Sequence, residues 1–159
     1  VKLEHHYSTD LEWLGNRGTG TSGYREYGRE HVVRTDGAPP IEGSSDRAFH
    51  GDLDRWNPEE MLLAALSQCH MLSYLHVAVI HGIVVEEYVD AASGTMQQTA
   101  DGGGHFTSAT LRPVVTISSG DPELARMIHA EASAKCFIAN SVNFPVAHEP
   151  VIRLIERSA

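Results

Sequence analysis

Cysteine is scarce in this chain: its 159 residues hold two, Cys69 and Cys136. So few cysteines argue against a small secreted scaffold held by disulfides. The N-terminal Val1-Lys-Leu-Glu-His-His6 has no apolar signal core, so the expected compartment is the cytoplasm. In a reducing compartment a lone pair of cysteines is catalytic, redox-active, metal-binding, or buried and inert. Positive charge is also short. Twelve Lys and Arg stand against 21 Asp and Glu, a net charge of −9 with histidines neutral, and no basic cluster interrupts the balance. That speaks against a nucleic acid or an anionic membrane as the main partner. Uninterrupted apolar sequence is lacking too. The longest stretch, residues 62–85, is broken by Ser67, Gln68, His70, Ser73, His76 and His81, which reads as a buried helix and not a membrane span. There is no internal repeat and no low-complexity segment. The length suits a single domain over 1–159.

The positive signals are helix starts, turns and β-rich runs. Residues 2–14 and 24–33 predict two strands around a turn-rich stretch, Gly15 to Gly23, and Pro39, Pro40 and Gly43 predict a loop. Asn57 is a good N-cap, Pro58 suits the first helical position, and Glu59 and Glu60 suit the positive end of the helix dipole. Leu62, Ala65, Leu66, Cys69, Leu72 and Val77 then recur at a helical period until Gly82, a natural stop. A helix of about 25 residues spans roughly 37 Å. Residues 83–96 and 105–118 are β-rich and flank Asp101-Gly-Gly-Gly104, a hairpin signal. Asp121-Pro122-Glu123 opens a second helix, and residues 143–155 predict a closing strand. The order β-β-α-β-β-α-β is α+β, unlike the alternation of a parallel doubly wound sheet.

Four chemistries are open to the cysteines. Cys69 falls in the apolar helical pattern, where free cysteine is often an inert core residue. A reactive thiol needs a nearby cation or a helix N-terminus. Cys69 lies about three turns into its helix, so an arginine would have to supply the field, with Arg17, Arg25, Arg47 and Arg55 as candidates. Glu59 is ten residues from Cys69, about 15 Å along the axis, and cannot reach that sulfur within its own helix. It reads either as an ordinary first-turn acid or as a group joined to the thiol by an arginine or a second subunit. The ten histidines invite a metal site, yet no HxxxH, HxH or CxxC spacing occurs, and a structural zinc site wants four placed ligands. A Cys-His hydrolase has no unique base and leaves Cys136 idle.

Two segments carry a resemblance. Asn57-Pro58-Glu59-Glu60-Met-Leu-Leu-Ala-Ala-Leu-Ser-Gln-Cys69 resembles the first-cysteine signature of the OsmC/Ohr family, the osmotically inducible and organic hydroperoxide resistance proteins. Cys136-Phe-Ile-Ala-Asn-Ser resembles the second-cysteine segment, with Phe137 where the family often has proline. The resemblance implies an OsmC-like α+β fold: an intertwined homodimer with antiparallel sheets wrapped around long central helices. It implies a thiol-dependent peroxidase reducing organic hydroperoxides to alcohols, with a lipoyl-type or small dithiol as reductant and no cofactor or metal. Cys69 then matches the peroxide-reacting cysteine, Cys136 the resolving one, and Glu59 the acid that holds the activating arginine. Arg17 occupies the place of that arginine in one branch, Arg47 and Arg55 its place in the other. The pre-helix pair is favoured because that arm can reach across a dimer. Phe49, Trp56, Phe137 and Phe144 would line an apolar mouth or pack in a core. The alternative function is a redox-sensing or ligand-binding member of the fold without efficient turnover.

Overall fold

The computed structural model describes residues 3–155; Val1 and Lys2, where the N-terminal reading begins, and residues 156–159 lie outside it. The chain forms two compact units, Val1–Leu62 and Leu63–Ala159.

In the first unit, β1 (Asp10–Trp13), β2 (His31–Arg34) and β3 (Ile41–Gly43) form an antiparallel sheet in that order. Asp10 pairs with Arg34 and Trp13 with His31, and Arg34 reaches Glu12 at 3.0 Å. The connection from β1 to β2 is pinched where two glycines meet. Gly28 N–H donates to Gly15 O at 2.8 Å, and a Cβ on Gly15 would stand 1.9 Å from the Gly28 oxygen. Trp13 Nε1–H donates to the same Gly28 carbonyl at 2.8 Å. Two expectations need correction. The second strand begins only at His31, because the Arg29 guanidinium takes the carbonyls of Tyr24 and Tyr27 and holds them in turns. The segment read as a loop contains β3, an edge strand that Pro39 and Pro40 precede and do not interrupt.

The long helix is α1 (Pro58–Ile80), 23 residues and so about 35 Å. It starts where the capping chemistry places it: Asn57 Oδ1 accepts from Glu60 N–H at 2.8 Å. It ends in a paired C-terminal turn. Gly82 adopts φ 68°, Gly82 N–H bonds Val79 O, and Ile83 N–H bonds Ala78 O. Its buried stripe is Leu66, His70, Tyr74, Val77 and Ala78. The expected stripe through Cys69 and Leu72 is therefore displaced by one position round the helix. Cys69 sits at the edge of the buried face, and Leu72 is 61% exposed. Two polar aromatic residues take inward places that a hydrophobic pattern does not reveal.

In the second unit, β4 (Val84–Asp90), β7 (Pro113–Ser119) and β9 (Val151–Leu154) form one sheet in the order β4-β7-β9. The strands β5 (Ser93–Gln98), β6 (Gly104–Leu111) and β8 (Val146–His148) form another in the order β5-β6-β8. Each β-rich run of the sequence is thus two strands belonging to two sheets. The crossing points are tied together: Asp90 Oδ1 accepts the Arg112 N–H at 2.6 Å, and Arg112 Nη1 donates to Ser93 Oγ at 2.7 Å. The hairpin at Asp101 joins β5 to β6 antiparallel, with Gly102 at φ 86°. The single closing strand divides into β8 and β9, and both pair in parallel, β8 with β6 and β9 with β7, so these sheets are mixed. Helix α2 (Pro122–Lys135) is capped by Asp121, whose side chain accepts from Glu123 N–H. Its Ala125, Ile128 and Ala132 pack with Tyr74, Val77, Ala78, Ile83, Val115 and Ile117 into the core. Burying each Val or Ile there contributes about 1.5–3 kcal/mol. Tyr74 O–H bonds Ala125 O at 2.9 Å and pins α1 to α2.

Candidate active site

Helices α1 and α2 bring the two cysteines of the chain together. Cys69 is half-buried on the third turn of α1, and Cys136 is the fully buried C-cap of α2. Both are free thiols. Burial pushes the Cys136 thiol up to about 11, the neighbouring Cys69 pushes in the same direction, and the Ala139 N–H directed at its Sγ, 3.4 Å away, pulls against both. Cys136 therefore keeps its proton at neutral pH.

Cys69 opens onto a pocket of about 460 Å³ shared with Leu72, Ser73, His76, Lys135 and Phe137. That volume suits a small organic molecule. Lys135 is the cation of this pocket, held at 2.5 Å from Glu131 in an i,i+4 pair. Glu131 also accepts from His81 at 2.8 Å, and its carboxyl is held below the usual range by Lys135 first and His81 second. Sequence reasoning missed Ser73, His76 and Lys135. Lys135 stands next to Cys136 in the chain, which was the available signal; Ser73 and His76 are four and seven positions after Cys69, on its side of the helix.

The other sequence-predicted residues lie in the first unit. Arg17 belongs to the turn after β1 and faces a small basic pocket. Arg47 is exposed on a 3-10 turn, Arg47–Phe49, and Arg55 donates to His31 O at 3.4 Å and approaches Glu42 at 3.9 Å. Glu59 is on the first turn of α1. Its Oε2 is buried and has no hydrogen-bond partner among the described residues. Of the aromatic residues proposed for an apolar mouth, Phe137 lines the cysteine pocket and is 79% exposed, whereas Phe144 stacks on Phe106 at 5.4 Å.

Beside the cysteines lies a histidine cluster that the sequence did not announce. His70 Nε2 is 3.0 Å from His129 Nδ1, the His70 and His148 rings are 4.3 Å apart, and Tyr74 stacks on His129 at 4.0 Å. Burial, then the neighbouring His148, lowers His70 to about 4; burial, then His70, lowers His129 to about 3; burial lowers His148. Among the described residues no group of three or more His, Cys, Asp or Glu is arranged to hold a metal ion.

Residues 50–150, most of the chain and both cysteine segments, match the family of OsmC-like proteins. The chain belongs to the OsmC-like family. Among solved structures it is similar to an OsmC-like protein of unknown function from Vibrio cholerae, 29% identical, with a TM-score of 0.81 over 93% of this chain and 100% of that one. It is also similar to an organic hydroperoxide resistance protein from Elizabethkingia anophelis, 18% identical, TM-score 0.65, covering 96% and 100% of the two chains. A third is the organic hydroperoxide resistance protein OsmC from Legionella pneumophila, 19% identical, TM-score 0.62, covering 94% and 99%. At such identities the last two comparisons speak for the fold. No curated protein matches the chain. The OsmC-like α+β fold expected from the two cysteine segments is the fold of this chain.

Proposed function

We propose that this OsmC-like protein is a thiol-dependent peroxidase that reduces organic hydroperoxides to alcohols. The observation that carries the reading is the nearness of Cys136 to Cys69, close enough for the two thiols to influence each other, beside an organic-sized pocket. In the proposed cycle the Cys69 thiolate attacks the distal peroxide oxygen and the O–O bond breaks. The alkoxide takes a proton and leaves as the alcohol, and Cys69, oxidised by two electrons, becomes a sulfenic acid. The Cys136 sulfur then attacks the Cys69 sulfur, water leaves, and a disulfide forms. An external dithiol of lipoyl or small-molecule type reduces that disulfide by exchange and is itself oxidised. The thiolate of Cys69 is stabilised by a guanidinium from Arg55, Arg47 or Arg17 that also satisfies the buried Glu59 carboxylate, and the S–H of Cys136 assists. The cycle needs no metal or organic cofactor.

The reading extends to a homodimer of a single OsmC-like domain acting in the cytoplasm, without a nucleic-acid or membrane partner. What supports the single domain is the continuity of α1 across the boundary between the two units. By length and composition α1 is apolar enough to cross a membrane, yet its Leu66–Ala78 stripe packs in the core of the second unit. A second copy is the proposed cover for its remaining apolar surface.

The test is a thiol count before and after one equivalent of tert-butyl hydroperoxide. Loss of both thiols of each chain, with tert-butanol released, is expected. Retention of both would overturn the reading. One observation favours the alternative of a redox sensor: a resolving thiol raised to about 11 is slow to react at neutral pH. A sensor would show the same first oxidation followed by slow turnover.

A further inference from the structure

The connection between β1 and β2 folds into a basic pocket of about 200 Å³, lined by Arg17, Arg25, Tyr27, Arg29 and His50. This is a chain with 12 basic residues against 21 acidic ones. Three of those 12 nonetheless converge on one small cavity. Among the described residues none of the three makes an ion pair, although Arg34, Arg55, Arg112, Arg126 and Lys135 all do. The acids that flank them in sequence, Glu26 and Glu30, do not neutralise them. A cluster of guanidinium groups without counter-charges repels itself, and an anion relieves that repulsion.

Part of the cluster is also held in place. Arg29 Nη1 donates to Tyr27 O at 2.6 Å and Nη2 to Tyr24 O at 2.7 Å, while its guanidinium carbon lies 4.0 Å from the Tyr27 ring centre and 4.7 Å from that of Tyr24. Two of the five guanidinium donors are so engaged, which leaves three for a ligand. The turn that presents Arg17 is held by Asn16, whose Oδ1 accepts from Gly18 N–H at 2.9 Å and Gly20 N–H at 3.0 Å. His50 closes the pocket in a left-handed conformation, φ 64°, alone in this among the described non-glycine residues. Its ring meets Tyr24 edge-on at 5.1 Å. A β-carbon residue at φ > 0 is uncommon and persists where the surroundings hold it, often at ligand sites. The surroundings here do so: a Cβ on the next residue, Gly51, would fall on the Ser45 carbonyl.

We propose that this pocket binds a phosphate group. Planar guanidinium forks match the oxygens of a tetrahedral dianion and order it at little entropic cost when already fixed. A cavity of about 200 Å³ is smaller than the ~300–1,000 Å³ pockets that enclose whole drug-sized ligands. It suits free phosphate, or the phosphate of an ester whose remainder stays in solvent.

Calorimetric titration of the full chain with inorganic phosphate, and separately with glycerol 3-phosphate, tests it at an ionic strength held constant with sodium chloride. Saturable binding of one phosphate per chain is expected, weakened at least tenfold in Arg25→Gln and in Arg29→Lys. Arg25 is exposed and among the described residues its side chain makes no hydrogen bond or ion pair, so its variant keeps the native structure, which an unchanged melting curve would document. Saturable binding of both probes identifies an ester site; binding of phosphate alone identifies a free-anion site. A linear, unsaturable response to millimolar phosphate would overturn the proposal, and so would undiminished binding in Arg25→Gln.

Discussion

His70 Nε2 stands 3.0 Å from His129 Nδ1, and both rings are buried between α1 and α2. One of the two donates its proton to the other, and protonating both would leave two donors facing each other with no acceptor. The remaining nitrogens, His70 Nδ1 and His129 Nε2, have no partner among the described residues. Protonating either ring would place a charge in a buried site beside two other histidines.

Acid should therefore destabilise the fold earlier than carboxylate titration would. The ordinary histidine value is 6.5, and burial lowers His70 to about 4 and His129 to about 3. Between about 4 and 6.5 the unfolded chain binds protons that the folded chain refuses, so stability falls as pH falls through that window and is flat above it. The slope approaches about 1.4 kcal/mol per pH unit for each histidine held neutral. Urea unfolding at pH 7.5, 6, 5 and 4.5 reads this directly. A stability unchanged from pH 7.5 to 5 would contradict the buried neutral cluster.

Tyr74 couples the cysteine-bearing helices through its bond to Ala125 O. Tyr74→Phe removes the hydroxyl, keeps the ring against His129 and leaves a buried carbonyl with one partner fewer. A loss of about 1 kcal/mol in denaturant unfolding is expected. Because α2 ends at Cys136, the same variant should also slow formation of the disulfide. An unaltered disulfide rate in a destabilised variant would show that α2 does not position Cys136.

These positions mark how far the sequence could be read. The ends of α1 were legible because Asn57, Pro58 and Gly82 act through local backbone chemistry. The hairpin at Asp101 was legible for the same reason. The strand breaks at Asp90 and Arg112 were not, because a long-range hydrogen bond between them, and no turn residue, divides each run between two sheets. Parallel pairing of β8 and β9 likewise depends on tertiary placement. Within the site, the two segments that resemble the family pointed to Cys69 and Cys136. His70 and Tyr74 read as interruptions of an apolar pattern, although they are its inward face.

The proposed division of labour between the thiols predicts unlike variants. Cys69→Ser should consume no hydroperoxide. Cys136→Ser should complete one turnover and leave Cys69 as a sulfenic acid that a dimedone-type probe traps. In the native protein, disulfide formation after the first step should accelerate about tenfold per pH unit between 7 and 10, following the thiolate fraction of a group raised to about 11. Sustained turnover by Cys69→Ser would reverse the assignment. A pH-independent second step would show that some base deprotonates Cys136 in place.

The last prediction concerns what covers α1. In its most apolar 18-residue window only 28% is buried within the chain. Val79 is 76% exposed, Ile80 58% and Leu72 61%, and Met127 and Phe137 of the same unit are 69% and 79% exposed. Apolar surface of this extent on a helix calls for a partner. Glu59 points the same way, since its buried Oε2 has no donor among the described residues. We expect a symmetric homodimer burying more than about 2,000 Å² in total, as obligate dimers do. Sedimentation equilibrium at micromolar concentration should give twice the 17.4 kDa chain mass. Val79→Glu, which adds a charge to the exposed apolar face and touches neither cysteine, should shift the equilibrium towards monomer by at least tenfold. A native chain that sediments as a monomer at tens of micromolar, and still consumes hydroperoxide, would refute the dimer and the second copy as the cover of α1.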